Sequence, residues 1–278
     1  MSVVLSISSQ VIRGHVGDSA AAFALQRLGH QVWALPTVIL AHHPGHDRAV
    51  PRLITPGAMI ADFIGALDRQ GWLTTVDAVL IGYLGDGEQA EAIAASLKRM
   101  RAGRSGLFVA LDPVIGDNGS SYVSDAVAAA IRDTLLPISD LITPNCYEFG
   151  WLTGSPAGSL GEAIERARRL APCECLLTSA PGGPEAMVRN LAISDQAAFA
   201  CDAPHIEHAA HGAGDLISAL YFAHRLSGKP IDEALARATA ALQAVLTRTA
   251  RAHANELSLI DAQDELVDAA ALAIQQLE

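Results

Sequence analysis

"HGAGDLISALYFAH" (residues 211–224) places two glycines and an aspartate at the head of an apolar, helically spaced run. Leu216, Ala219, Leu220 and Ala223 share one face at that spacing, so a helix follows Asp215 directly. Gly212, Ala213 and Gly214 keep the preceding turn free of bulk, and no lysine accompanies them. Two readings of such a turn are open. A bare helix N-terminus behind small residues takes an anion, most often a phosphate. Alternatively, aspartate is an ordinary first-turn partner of the helix dipole and glycine ordinary turn chemistry.

Outward from this stretch, short apolar runs alternate with longer amphipathic ones. Strands are expected at 3–7, 31–35, 77–82, 106–113, 140–143 and 174–179, with a hairpin from 186–193 and 197–202 that forms either an edge pair or a lid. Helices are expected at 18–28, 58–69, 88–101, 123–134, 146–153, 160–170, 214–227, 231–252 and 262–277. A polar, proline-bearing loop spans 41–57. Strands that are apolar throughout belong to a mostly parallel sheet covered on both faces. The expectation is therefore an α/β protein, with no linker, repeat or low-complexity segment dividing residues 1–278. Such a sheet binds ligands beyond the carboxyl ends of its strands.

Composition narrows the function. The 278 residues are 50% hydrophobic, and 19 Lys+Arg against 30 Asp+Glu leave a net charge of −11. That balance argues against nucleic acid or an anionic membrane as partner. A polyanionic ligand would need helix N-termini, a divalent metal or a few placed cations. Cys146, Cys173, Cys175 and Cys201 fit neither a zinc pattern nor a disulfide framework, so free thiols in a reducing compartment are expected. The N-terminus lacks a secretory pattern and no apolar run is long enough to span a bilayer, so the expected location is the cytoplasm.

Polar groups recur just after the expected strands: Ser8 and Ser9, Tyr83 and Asp86, Asp112 and Asp117, Thr143, Asn145 and Glu148, then Thr178 and Ser179. Each alone is an ordinary turn or cap residue; their shared position is what points to a site. Asp112 and Glu148, with Asn145 nearby, are oxygen donors suited to magnesium held through water, although Asp112 before Pro113 also reads as a turn cap. "HHPGH" (42–46) lies in a loop and matches no zinc spacing well; a flap whose histidines touch substrate is the better functional reading. No P-loop, dinucleotide fingerprint, nucleophile elbow or protein-kinase set is present.

Taken in order, residues 6–38, "GYLGD" (82–86), "DPVIGDNGSSYV" (112–123), "ITPNCYE" (142–148) and "GAGDL" (212–216) resemble the vitamin B6 kinases, the pyridoxal kinase family of the ribokinase-like superfamily. The resemblance runs from residue 3 to about 250 and implies a three-layer sandwich. It also implies ATP-dependent phosphorylation of the 5′-hydroxymethyl group of pyridoxal, pyridoxine or pyridoxamine. On the matching positions Asp215 would be the general base, and the amides of Gly212, Ala213 and Gly214 the anion hole. Asp112 and Glu148 would place magnesium. Thr143, Asn145, Thr178 and Ser179, with Asp112, would line the nucleotide phosphates, while Ser9, Val38, His43 and Tyr83 would surround the pyridine ring. Family members are usually homodimers and often need a monovalent cation such as potassium. Three positions depart from the family pattern: Ala213 and Pro44 stand where threonine is usual, and Ser8 where glutamine is. The last two lie on the vitamer side and bear on substrate identity. A hydroxymethylpyrimidine kinase and a catalytically weak B6-binding homologue are the alternative readings.

Overall fold

The computed structural model describes residues 1–102, 106–117, 119–170, 174–207 and 210–277. Cys173 lies outside them; Cys146 and Cys201 are free thiols. The chain begins with β1 (Val3–Val11), α1 (Asp18–Arg27), β2 (Gln31–Leu40), β3 (Arg52–Ile54) and α2 (Gly57–Arg69). After a 3-10 turn at Trp72–Thr75 come β4 (Ala78–Ile81), α3 (Gly87–Ala102), β5 (Phe108–Leu111) and a small hairpin of β6 (Gly116–Asp117) and β7 (Ser120–Ser121). Then follow α4 (Asp125–Ala130), β8 (Leu141–Ile142), α5 (Cys146–Thr153), α6 (Leu160–Arg169), β9 (Glu174–Leu177), β10 (Met187–Ile193) and β11 (Ala198–Pro204). The last elements are α7 (Ala213–Leu226), α8 (Ile231–Arg251), α9 (Glu265–Asp268) and β12 (Gln275–Leu277).

Ten strands form one sheet in the order β12-β11-β10-β9-β8-β5-β4-β1-β2-β3. The stretch from β9 to β2 is parallel, and β3, β10, β11 and β12 are antiparallel additions. Strand alternation explains why both faces are covered. Leu5, Ile7, Val79, Ile81, Val109 and Leu111 point to one side, where Ile60, Ile64, Ile93, Leu97 and Phe149 of α2, α3 and α5 meet them. Val4, Ala78, Leu80, Ala110 and Leu176 point to the other, against α1, α7 and α8. Small residues on that second face let the helices approach closely, and Phe108 stacks on Phe222 of α7 at 5.6 Å.

The chain leaves β1 first to β2 on one side and later to β4 on the other. Direction therefore reverses at β1, and a crevice opens beyond its carboxyl end. A register shift between Ser8 and Gln10 marks that end, and Pro36 of β2 pairs with Ser8 there. Proline is tolerated where a bulge interrupts the ladder.

Three expectations need correction, and one open alternative is decided. The helix expected over 262–277 is helical only at Glu265–Asp268, and Gln275–Leu277 instead pairs with Ala198–Ala200 of β11. The free edge of β11 offers unpaired amides and carbonyls, and satisfying them outweighs the local helix preference of this alanine-rich tail. The helix expected over 123–134 starts at Asp125 behind a Ser124 cap, widens into a π-type turn at Ile131–Leu135 and tightens to 3-10 through Ile138. Pro137, which has no amide to donate, sits where the helix fails. The loop expected over 41–57 contains the edge strand β3. The 186–202 hairpin is β10 and β11, flanked by β9 and β12, so it belongs to the sheet and is not a lid.

Candidate functional site

A cleft of about 1180 Å³ opens over the carboxyl ends of the parallel strands. Gly212, Ala213, Gly214 and Asp215 of α7 border it, as do Ser9, Val38, His43 and Tyr83 at one end. Asp112, Thr143, Asn145, Glu148, Thr178 and Ser179 line the same cavity. Residues up to about 200 positions apart in sequence thus converge on one space, because every parallel strand delivers its C-terminal residue to the same edge.

Close packing sets the floor. The Tyr83 amide donates to Ser8 Oγ at 3.1 Å, and a Cβ on Gly82 would stand 2.4 Å from that oxygen. Gly17 is held at φ 55, and a Cβ there would fall 2.2 Å from the Ser9 carbonyl. Its amide donates to the Asp215 carboxylate. Gly212 takes φ 97 with the His15 carbonyl 2.1 Å from where a Cβ would lie. Gly214, in contrast, has negative φ and nothing within 4 Å of a Cβ position. The fold demands glycine at 17 and 212; at 214 the space left empty belongs to the cleft.

Asn145 caps α5 in a reciprocal capping box with Glu148. Glu148 Oε1 also accepts the amides of Ile115 and Gly116 at 3.0 and 3.4 Å, and Asn145 Nδ2 donates to the Gly116 carbonyl at 2.8 Å. One buried carboxylate therefore ties the segment after β5 to the helix after β8. Ser179 sits at φ 54, its amide held by Asn190 Oδ1 at 3.3 Å.

The floor is strongly acidic. Burial pushes Asp112 up to about 8, with the Asp215 charge adding to the rise and the hydroxyls of Ser218 and Thr143 opposing it. Burial, then the Asp112 charge, raises Glu148 well above the usual carboxylate range. Asp215 rises to about 6 by burial, against the pull of the Gly17 amide. None of these acids has an ion-pair partner among the described residues. Beside Asp215 a small pocket of about 10 Å³, bounded by Ser6, Ser8, Asp112 and Ser218 together with the apolar Ala21 and Leu80, is at the lower limit for a single water.

No group of three or more histidine, cysteine or acidic side chains among the described residues forms a closed metal cage. Magnesium does not need one: it keeps most of its waters and binds through one or two carboxylates plus substrate phosphates. Two buried acids without a cation fit that requirement.

A family model described as phosphomethylpyrimidine kinase matches residues 66–258. A pyridoxal kinase, PdxY, of Corynebacterium diphtheriae is 35% identical over 95% of both chains. This chain belongs to the pyridoxal kinase family. A pyridoxine/pyridoxal/pyridoxamine kinase of Bordetella pertussis is 37% identical over 92% of both chains. The solved structure of pyridoxal kinase from Leishmania donovani, in complex with ADP and pyridoxamine, superposes with a TM-score of 0.92 at 27% identity over the whole of both chains. The α/β, mostly parallel, ribokinase-like sandwich is thus that of the pyridoxal kinases.

The structure of this pyridoxal kinase family member adds residues that sequence reasoning passed over. Asp18, read only as a helix start, is buried; Ser6 Oγ donates to its Oδ1 at 2.5 Å, and its Oδ2 has no hydrogen-bond partner among the described residues. Burial raises it to about 7, and Asp215 contributes to the rise. Its position beside Gly17 in "GHVGD" was the available signal. Val188, Leu242 and Leu246 give the far end of the cleft an apolar wall, which local patterns present only as strand and helix. His211 borders the cleft as well. No helix among the described residues is long and apolar enough to cross a membrane.

Proposed function

We propose that the protein transfers the γ-phosphoryl group of ATP to the 5′-hydroxymethyl group of a B6 vitamer, pyridoxal first among them. The observation that carries this reading is the placement of Asp215 and the glycine turn in one cleft with Ser9, Val38, His43 and Tyr83. A carboxylate at that point accepts the alcohol proton as the oxygen attacks phosphorus. The amides of Gly212, Ala213 and Gly214 sit at the positive end of the α7 dipole and stabilise the moving phosphoryl charge. Phosphoryl transfer asks for positioning and charge stabilisation above all, which explains a phosphate turn without lysine. Asp112 and Glu148 would hold magnesium, which when bound neutralises the phosphate oxygens. Thr143, Asn145, Thr178 and Ser179 would meet the phosphates, and the apolar wall of Val188, Leu242 and Leu246 would receive the adenine.

The working unit in this reading is a homodimer. The open edge strand β3 and the exposed Leu53, Met59 and Phe63 beside it are the surface a second copy would cover.

A hydroxymethylpyrimidine kinase is the second reading, favoured by the description of the family model over residues 66–258. That span leaves out Ser9, Val38 and His43, the residues of the ring end. A coupled ADP-release assay with magnesium decides between the two. Turnover with pyridoxal, pyridoxine or pyridoxamine is expected; turnover with the aminopyrimidine alone would overturn the assignment.

A further inference from the structure

Among the described residues the histidines of "HHPGH" are not gathered into a three-ligand cluster, yet they are not ordinary loop residues. The ring of His43 stacks on that of His211 with centroids 3.9 Å apart and planes at 28°. His43 Nδ1 accepts the Gly45 amide at 3.0 Å, which puts the proton of the neutral ring on Nε2. Burial, then the neighbouring His211 and His46, push His43 down to about 4, so the stack joins uncharged rings near neutrality. Gly45 lies against His211: a Cβ there would be 2.3 Å from its Nε2.

A second contact holds the same loop. His46 Nε2 meets Glu256 Oε1 at 2.7 Å, and that oxygen also accepts from Arg13 Nη1 at 3.1 Å. The His15 amide reaches Glu256 Oε2 at 3.4 Å. The loop is thereby fastened to the turn before α7 on one side and to the segment after α8 on the other. His211 immediately precedes Gly212, so the His43 ring rests on the turn that presents the anion-hole amides. Roof and transfer end are thereby in direct contact.

Closure matters in phosphoryl transfer because water competes with the alcohol for phosphorus. We propose that His211 is a positioning residue: stacked on His43, it keeps the 41–51 loop shut over the vitamer end, so that the γ-phosphoryl group passes to the alcohol and not to water. The proposal rests on the kinase reading above. With the roof open, water attacks the γ-phosphorus, the bond to the ADP oxygen breaks, and ADP, inorganic phosphate and a proton are released.

The test compares wild type, His211→Ala, His211→Phe and Gly45→Ala, each with ATP and magnesium. Three quantities are read: ADP released per vitamer phosphorylated, KM against kcat for the vitamer, and amide hydrogen exchange over 42–47. In His211→Ala the ADP-to-product ratio should rise and KM climb ~10-fold, with kcat changing much less. His211→Phe restores stacking without a titratable group and should return both values towards wild type. Gly45→Ala pushes a methyl group into the His211 ring and should behave like His211→Ala. An unchanged ratio and KM in His211→Ala overturns the proposal, as does a phenylalanine variant no better than alanine. Should the wild type phosphorylate no vitamer, the kinase reading fails alone. The exchange measurement then decides: faster exchange in His211→Ala and not in His211→Phe supports the latch, and equal exchange refutes it.

Discussion

Asn145 and Glu148 bond each other twice: the Glu148 amide donates to Asn145 Oδ1 and the Asn145 amide to Glu148 Oε2, each at 2.9 Å. With the Ile115 and Gly116 amides on its other oxygen, Glu148 is committed to backbone donors before any cation arrives. The carboxylate therefore shapes the segment that carries Asp112 and also supplies charge to it.

Glu148→Gln separates those functions only partly, because an amide group has one acceptor oxygen where the carboxylate has two. Its NH₂ would face a backbone donor, and an unsatisfied buried donor costs about 1–3 kcal/mol. A lower melting temperature is expected together with a higher magnesium requirement for kcat. Thermal melts and a magnesium titration check the pair. A loss of stability with an unaltered titration would confine Glu148 to capping.

Gly214 gives a cleaner separation of fold from site. Alanine there meets no protein atom within 4 Å and sits in the first turn of α7, where it is the better helix former. Gly214→Ala should leave stability unchanged or raise it by up to ~1 kcal/mol. Its methyl group enters the space that the transferred phosphoryl group needs, so kcat/KM for ATP should fall at least ~10-fold. Normal activity in a stabilised variant would remove the turn from the reaction.

Much of this was legible in sequence for a physical reason. Runs such as "VVLSI" and "ECLL" are apolar on both faces, and only a sheet covered on both sides accepts them. The polar groups gathered at strand ends because parallel strands all point the same way. What stayed hidden depends on partners distant along the chain. Arg13 meets Glu256 across 243 positions, and no local pattern announces it. Gln275–Leu277 becomes a strand only because β11 has a free edge, and His211 looks like a loop residue until His43 is laid on it.

Asp18 should make stability depend on pH. Burial raises its carboxyl from the ordinary 3.8 to about 7 in the folded chain. Between those values folding carries an extra proton, so this group's contribution to stability falls as pH rises from about 4 to about 7 and stays low above. Asparagine still accepts the Ser6 hydroxyl and has no charge to bury. Asp18→Asn should therefore gain in melting temperature relative to wild type at about pH 8 and not at about pH 4. An equal difference at both values would mean that Asp18 ionises freely in the fold.

Asp215 carries the sharpest expectation. As a helix-start residue alone it should tolerate asparagine, which interacts with a helix N-terminus about as well. As the base it should not, because asparagine keeps the shape and cannot take the alcohol's proton. Loss of a general base typically costs ~10²–10⁴-fold in rate, and kcat of Asp215→Asn should fall in that range. ATP affinity should change little. The raised value of about 6 has two consequences of known sign. Wild-type kcat/KM should fall as pH drops through about 6, since the base must be ionised, and that acid limb should vanish in the variant. The ionised, partly buried carboxylate also burdens the fold above that pH, so Asp215→Asn should melt no lower than wild type at about pH 8. A variant keeping more than about a tenth of wild-type kcat, with the acid limb intact, would end the assignment of Asp215 as base.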